Sequence, residues 1–408
     1  MTKFIKNTFI IFFILIIFTS KGFSQKSIII FKTDYSNNYM NYAIYDLIIK
    51  NIFLYSNLKI INSYSNYSSY NKIKSQIKKL TINNNANISI AYQIQNFKNG
   101  FLINYIIFDN EKPNEWIEKS AYSKEEDLFF SINKILKDIY EISKIKNKIT
   151  YIKEKDYISL LGYYSQKIIL TNNEDNIYKL FYDFHKDNIY FNIDYLEYLT
   201  DKSDRASVDI INDLIKNMQN YINKKKNHYY LYSLGCMHYG KYKVNVILSD
   251  IEASIENYNK ALKLKNNYYK YYYRLANAYI LKNDYDNAIK YYEEAIKLNE
   301  YDINIIKEFV YLLKRDINKN GNEVISYLKK IIEINKNDEE ALEDISKLYE
   351  KIGDYDNALI YYNKLFEVIN YNLYIINNET KDADAYDKYI FKRNSIKLNI
   401  ESLNKKIF

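Results

Sequence analysis

The sequence predicts a multidomain α+β protein, in which a small α/β domain is followed by an all-α solenoid of stacked helical pairs. Three observations support this prediction. Strand-like and helix-like runs alternate over residues 27–144, a unit of ~34 residues recurs over residues 228–372, and an apolar leader precedes both. One helical pair cannot bury its own apolar face, so several such units must stack.

The leader, residues 1–24, is predicted to be a signal peptide. Two lysines form its basic start, an unbroken apolar run extends from Phe9 to Phe18, and Gly22 and Ser24 supply small residues at the usual cleavage positions. A short apolar core of this kind suits a secretory signal better than a membrane span. We therefore expect an exported chain, periplasmic or envelope-associated, that is cleaved after about Ser24. An uncleaved anchor is the alternative.

Charge and composition narrow the range of partners. The formal net charge is +8 for the whole chain and falls to +5 without the three lysines of the leader. This is a mild excess for 408 residues, so no nucleic-acid partner is expected. The chain has 48 tyrosines, which we interpret as occupying positions that other proteins fill with Leu, Phe or Trp. Cys236 is the only cysteine, so no intramolecular disulfide can form.

The α/β domain is predicted to occupy residues 25–146. Continuous apolar runs indicate buried strands, and helical spacing of apolar residues indicates the helices between them. Asn99-Gly100 between two alternating runs is a hairpin signal. We expect strands at 27–33, 58–64, 88–94, 101–108 and 116–121, and helices at 38–56, 70–82 and 124–144.

The resulting order, β-α-β-α-β-β-β-α, resembles the TolB amino-terminal type of domain. The likeness rests on Ile28-Ile29-Ile30-Phe31, Leu58-Lys59-Ile60-Ile61 leading into Ser63-Tyr64-Ser65, the hairpin at Gly100, Trp116-Ile117-Glu118 and Glu126-Asp127-Leu128-Phe129. The resemblance implies an envelope-associated adaptor module that carries no catalytic residues.

The repeats are visible as motifs that return at fixed offsets. Ala261 is followed 34 positions later by Ala295, and the sequence from Asp284 to Ala288 returns 70 positions later, from Asp354 to Ala358. Small residues such as Ala276 suit the places where two helices approach closely, and Asp284 is a good N-cap. The pattern resembles the tetratricopeptide repeat, whose unit is ~34 residues.

Four repeats are predicted, with a connector before them and a cap after them. Extra residues are expected between the helices of the first unit, around Tyr242 to Ser249, and in the third unit near Asn320-Gly321. The connector, residues 147–227, is expected to hold degenerate helical pairs at 157–170, 177–184, 189–199 and 208–222. The repeats are 228–268, 269–302, 303–338 and 339–372. In the C-terminal region, 373–408, a loop at 377–384 is expected to precede a capping helix at 385–406 with a polar outer face.

The sequence offers little for catalysis. It contains no HExxH, GxSxG, GxGxxG or phosphate-loop motif. Cys236 and His238 lie two positions apart, on different sides of a predicted helix, so they do not converge on a metal. We expect no enzymatic activity, no cofactor, no metal and no small-molecule substrate.

The resemblance to tetratricopeptide repeats implies a groove that holds a protein or peptide, since the first helix of each pair lines the groove in that family. An alternative is that the same residues form only a lysine-rich solvated face. Carried onto this chain, the groove consists of Tyr229, Tyr232 and Tyr239, then Lys270, Tyr273, Arg274 and Asn277, then Lys307, Tyr311 and Lys314, and finally Lys347.

The predicted function is non-catalytic scaffolding of protein complexes at the cell envelope. The alternative is an accessory component of an outer-membrane secretion or assembly machine, recruited through the α/β domain. Peripheral association with the envelope is compatible with both.

Overall fold

The computed structural model describes residues 26–31, 39–56, 58–61, 70–83, 86–97, 100–114, 116–124, 128–144, 152, 174–185, 188–218, 227–380 and 382–407. The signal peptide and the helix predicted at 157–170 lie outside these residues. The chain divides into two compact units between Arg274 and Leu275. The division falls inside the second predicted repeat, rather than at residue 228 where the repeats were predicted to begin.

The first unit contains, among its described residues, a five-stranded sheet in the order β2-β1-β3-β4-β5. Strand β1 pairs in parallel with both of its neighbours, and β3, β4 and β5 pair antiparallel. The strands are β1 (Ser27–Phe31), β2 (Lys59–Ile61), β3 (Ile88–Phe97), β4 (Gly100–Asp109) and β5 (Trp116–Ser123). The predicted hairpin joins β3 to β4.

Helices cover both faces of this sheet, which explains why β1 is an unbroken apolar run. Its side chains alternate between the faces, and all four residues from Ile28 to Phe31 are fully buried. Ile73 lies in the core cluster on one face, and on the other the hydroxyl of Tyr105 donates to Asp138 at 2.6 Å. The helices are α1 (Tyr39–Tyr55), α2 (Tyr70–Asn83) and α3 (Leu128–Ile142).

The remaining described elements of the first unit are helices. They are α4 (Glu174–His185), α5 (Ile189–Lys202), α6 (Arg205–Met218), α7 (His228–Asn245), α8 (Leu248–Leu264) and the first part of α9 (Tyr269–Leu281). The first predicted repeat is the packed pair α7–α8.

The extra residues of this first repeat do not form the predicted loop. They lengthen α7 instead, and only Val246 and Ile247 separate it from α8. Val246 has a left-handed backbone, with φ at 56°, and its N–H donates to the carbonyl of Tyr242 at 2.7 Å. This left-handed residue ends the helix and allows the chain to reverse within two residues.

Helices α7 and α8 approach so closely that one position must be glycine. A Cβ atom on Gly235 would lie 2.4 Å from the ring of Tyr258, far inside van der Waals contact. The Tyr258 ring therefore occupies the space that the missing side chain of Gly235 leaves, which is the pairing of small and large residues that the repeat pattern requires.

The first repeat also packs against the α/β domain. Lys265, which follows α8, is buried and its ammonium donates to the carbonyls of Phe53 and Ser56, at 2.5 and 2.9 Å, at the end of α1. The ring of Phe53 contacts the rings of His228 and Tyr229. Lysine is well suited to this place, because the last carbonyls of a helix have no partners within it.

The described elements of the second unit are also helices. After the end of α9 the unit comprises α10 (Tyr285–Leu298), α11 (Ile303–Leu313), α12 (Ile317–Ile334), α13 (Glu339–Lys351), α14 (Tyr355–Ile375) and α15 (Ala383–Ile407). The predicted cap of α10 is confirmed, since Asp284 accepts from the N–H of Asn287 at 3.2 Å. Asp302, Asp338 and Asp354 cap α11, α13 and α14 in the same way.

Three local predictions for this unit were wrong. The irregularity of the third repeat is a 3₁₀ turn, Lys314–Asp316, and Asn320-Gly321 lies inside α12. Residues Ile376–Thr380 form a π-helical turn and α15 begins at Ala383, so most of the described part of the predicted loop at 377–384 is helical. The outer face of α15 is not purely polar, because Phe391 and Leu398 are 78% and 65% exposed. Among the described helices, none is long and apolar enough to cross a membrane.

The buried Lys265 predicts an unusual pH dependence. Burial lowers the pKa of Lys265 from 10.5 to about 7, so above pH 7 the folded chain gives up a proton that the unfolded chain retains until about pH 10.5. The free energy of unfolding should therefore rise with pH between 7 and 9, by on the order of 1 kcal/mol per pH unit. Urea unfolding of the first unit, followed by the fluorescence of Trp116, measures this slope.

Lys265→Met should flatten that slope, because it removes the titrating group. Lys260→Met is the matched control, since Lys260 lies exposed on α8. Equal slopes in the wild-type chain and Lys265→Met would contradict the assignment.

Candidate protein-binding site

A shallow depression of about 290 Å³ lies on the second unit, between α11 and α13. Its lining includes Lys307, Tyr311 and Lys314, which are the three residues predicted for the groove from the third repeat. Tyr311 stands on the rim and is 77% exposed. The remaining lining residues are Val310, Leu328, Ile331, Glu340, Ala341 and Asp344.

The spacing of helix α11 explains why these residues share one face. Lys307, Val310, Tyr311 and Lys314 recur at intervals of three and four, so they form one stripe along the helix. Val310 is buried and forms the floor, together with the side chains from α12 and α13. The depression therefore offers an apolar floor between polar edges.

The charged edges of the depression are already paired. Lys307 lies 3.0 Å from the Asp338 carboxylate and 2.9 Å from that of Glu340, and Lys314 contacts Asp344. Burial alone would lower the pKa of Lys307, but its hydrogen bonds to Glu340 and Asp338 raise it above its ordinary value. Lys307 therefore stays charged at neutral pH.

This arrangement favours some ligands over others. An anionic ligand would have to displace a carboxylate that already neutralises each lysine, whereas an apolar side chain needs only to cover the floor. Backbone amides of a peptide can share the ammonium and carboxylate groups at the edges. The geometry suits a peptide segment that presents an apolar residue and carries little net charge.

Four predicted groove residues are buried instead, which corrects the sequence prediction. Tyr229, Tyr232 and Tyr239 pack inside the first unit, and Arg274 is only 2% exposed. The tyrosines fill the large positions between helices that the repeat must bury. They are therefore not available to an external partner.

Arg274 belongs to a buried ion cluster. Its guanidinium lies 2.8 Å from the carboxylate of Glu197 and 2.6 Å from that of Asp201, both on α5. Lys270 lies 3.6 Å from the Glu197 carboxylate. The hydroxyl of Tyr232 donates to the same carboxylate at 2.5 Å. Burial alone would raise the pKa of Glu197, but Lys270 and Arg274 hold it below its usual range.

The remaining predicted residues are partly or fully accessible. Tyr273 is half-buried with the Arg274 guanidinium 5.3 Å from its ring centroid, and Lys347 is exposed with an ion pair to Glu343 on its own helix. The side-chain oxygen of Asn277 lies 2.5 Å from the hydroxyl of Tyr292.

Sequence reasoning missed two parts of the site, namely Asp344 and the apolar floor. The sequence did contain a signal for Asp344. Glu340 and Asp344 are spaced four apart on α13, so both carboxylates lie on one face of that helix and can pair with lysines that face it. The floor combines residues from three helices, so no single stretch of sequence shows it.

Comparison with protein families now supports the repeat pattern directly. Residues 269–302 and 339–372 each match the tetratricopeptide repeat family. These two stretches are tetratricopeptide repeats. Their bounds coincide with the second and fourth predicted units, and the second of them supplies the α13 side of the depression.

Solved structures with a similar helical arrangement include a crystal structure of MamA, which shares 22% identity over 40% of this chain and 91% of its own, with a TM-score of 0.32. Another is YrrB, described as a TPR protein with an unusual peptide-binding site, with 16% identity over 46% of this chain and 89% of its own and a TM-score of 0.29. No curated protein matches the chain. The likeness of residues 25–146 to the TolB amino-terminal domain stays a prediction.

The buried position of Arg274 leads to a stability prediction. Arg274→Met should lower the free energy of unfolding of the first unit by about 3 kcal/mol, because it leaves the Glu197 carboxylate buried with only one cation nearby. Urea unfolding followed by circular dichroism and Trp116 fluorescence measures the loss.

Two variants make the interpretation specific. Arg274→Met combined with Glu197→Gln should recover much of the loss, since no uncompensated charge remains. Arg205→Met, at an exposed arginine on α6, is the control. A loss no larger than that of the control would contradict the structural role.

Proposed function

We propose that this chain is a non-catalytic scaffold that binds a protein or peptide through the depression between α11 and α13. Tetratricopeptide repeats imply protein or peptide partners, and two of them are present. The observation that carries the proposal is the exposed Tyr311 beside an apolar floor, with both neighbouring lysines held in ion pairs. Exposed tyrosines next to apolar pockets are typical anchor points of protein interfaces.

The proposed place of action is the cell envelope. The predicted signal peptide in residues 1–24 supports export, and a periplasmic or envelope-associated scaffold is consistent with the mild positive charge of the mature chain. Expression of the full chain, followed by cell fractionation and determination of the mature amino terminus, tests this part of the proposal.

The binding site predicts the effect of one substitution. Tyr311→Ala should weaken partner binding about tenfold or more, because an interface anchor contributes roughly 1.4 kcal/mol or more. The partner is first captured by cross-linked pull-down from envelope extract with residues 25–408, and its affinity is then measured with purified components. Tyr371→Ala is the matched control, because Tyr371 is a 60% exposed tyrosine elsewhere on the same unit.

Equal affinity of the Tyr311→Ala variant and the wild-type chain would remove the depression as the binding site. Point variants are preferable to deletion of the repeats, because α7 packs against α1 through Phe53 and its loss would uncover part of the α/β core.

A second candidate function is recruitment to a secretion or assembly machine through the α/β domain. It is favoured by strand β5, which forms an edge of the sheet among the described residues. Trp116 and Tyr122 on this strand are both about half exposed, and an edge strand can accept a further strand from another protein.

The two candidates separate experimentally. If recruitment occurs through β5, Trp116→Ala with Tyr122→Ser should abolish capture of the main partner, while Tyr311→Ala leaves it unchanged. The pull-down described above measures both. The reverse pattern, with capture lost only in Tyr311→Ala, would contradict recruitment through the sheet edge.

A further inference from the structure

Helix α15 presents an exposed row of residues with an apolar centre. Phe391 and Leu398 lie seven positions apart, so they face the same direction, and both are largely exposed. Asn394 and Ser395 lie between them. Charged residues flank this centre at both ends of the row, namely Asp384, Asp387 and Lys388 near the start of the helix and Glu401 and Lys405 near its end; all are exposed.

Contacts of α15 with neighbouring helices fix this orientation. Ile396 and Leu403 are buried, Lys392 lies 2.7 Å from Glu339, and Lys406 lies 3.1 Å from Glu350. The helix packs along α14, and the two lysines reach glutamates at the start and near the end of α13. Turning the exposed row inward would break all of these contacts.

The exposed row of one α15 complements the same row of a second α15 that runs antiparallel to it. Phe391 and Leu398 lie at equal distances from the midpoint between Asn394 and Ser395, and so do Asp384 and Lys405, about 16 Å from it at 1.5 Å per residue. An antiparallel copy of the helix would therefore set Phe391 level with Leu398, and Asp384 level with Lys405.

We propose that α15 of one chain pairs antiparallel with α15 of a second copy, about a two-fold axis that passes between Asn394 and Ser395. A two-fold axis repeats every contact, so the apolar contact of Phe391 with Leu398 and the charge pair of Asp384 with Lys405 each occur twice. The charges also select the orientation. A parallel pair would place Asp384 against Asp384 and Lys405 against Lys405, which is repulsive.

The contact surface between the two copies of α15 is small, so the expected dimer is weak. A single helix face with one aromatic and one aliphatic residue per chain falls below the ~1,200 Å² of a stable interface. We therefore expect a reversible dimer that forms in the micromolar range. This association is independent of the depression on α11 and α13, so a partner can bind to either state.

Sedimentation velocity over a concentration series of residues 25–408 tests the pairing. Phe391→Ser with Leu398→Ser should leave only monomer. Lys405→Glu should weaken dimerisation about tenfold, because two symmetric contacts change from attraction to repulsion. Asp384→Lys should do the same.

The combined variant Asp384→Lys with Lys405→Glu provides the decisive arm, because it restores opposite charges and should return the dimer to within about twofold of the wild-type constant. Lys336→Glu, at an exposed lysine before α13, controls for net charge. Circular dichroism confirms that each variant is folded. A wild-type chain that stays monomeric, a dimer insensitive to the serine pair, or a combined variant as weak as the single ones would each overturn the proposal.

Discussion

Hydrogen bonds from buried tyrosine hydroxyls to carboxylates connect the core of this protein to its charged surface at several places among the described residues. At each of these places the ring fills a packed layer, and its hydroxyl reaches a carboxylate at the edge of that layer. Tyr105 donates to Asp138, Tyr232 to Glu197 and Tyr362 to Glu350. The core and the charges at its edge are therefore parts of one arrangement.

The same carboxylates also form ion pairs with lysine or arginine side chains. Asp138 pairs with Lys119, Glu197 with Arg274 and Glu350 with Lys406. Each forms a chain of tyrosine, carboxylate and cation that ties two or three elements together. These three cations neutralise acids that the tyrosines contact, in the same way that Lys307 and Lys314 are paired with acids at the depression.

Sequence reasoning located most elements but not the facing of individual side chains. Helices α10 and α13 follow directly from Asp caps and repeat spacing, and β1 from its apolar run. Tyr229 and Tyr232 were assigned to the binding groove, because their positions in the repeat suggest exposure. A tyrosine side chain is amphipathic, so its own chemistry is compatible with exposure and with burial. The acceptors of their hydroxyls, the carbonyl of Asn192 for Tyr229 and the carboxylate of Glu197 for Tyr232, lie 37 and 35 positions earlier, so the neighbouring sequence does not show them. The apolar floor under Tyr311 is likewise set by contacts distant in sequence.

The single thiol has a practical consequence. Cys236 is fully buried, the hydroxyl of Tyr258 donates to its sulfur at 3.5 Å, and burial raises its pKa to about 11. A thiol that is both shielded and protonated reacts slowly with alkylating reagents. A cysteine introduced on the surface would therefore be the one that takes a fluorophore or spin label, without prior replacement of the native residue. Distances within each unit become measurable in solution with the otherwise natural chain.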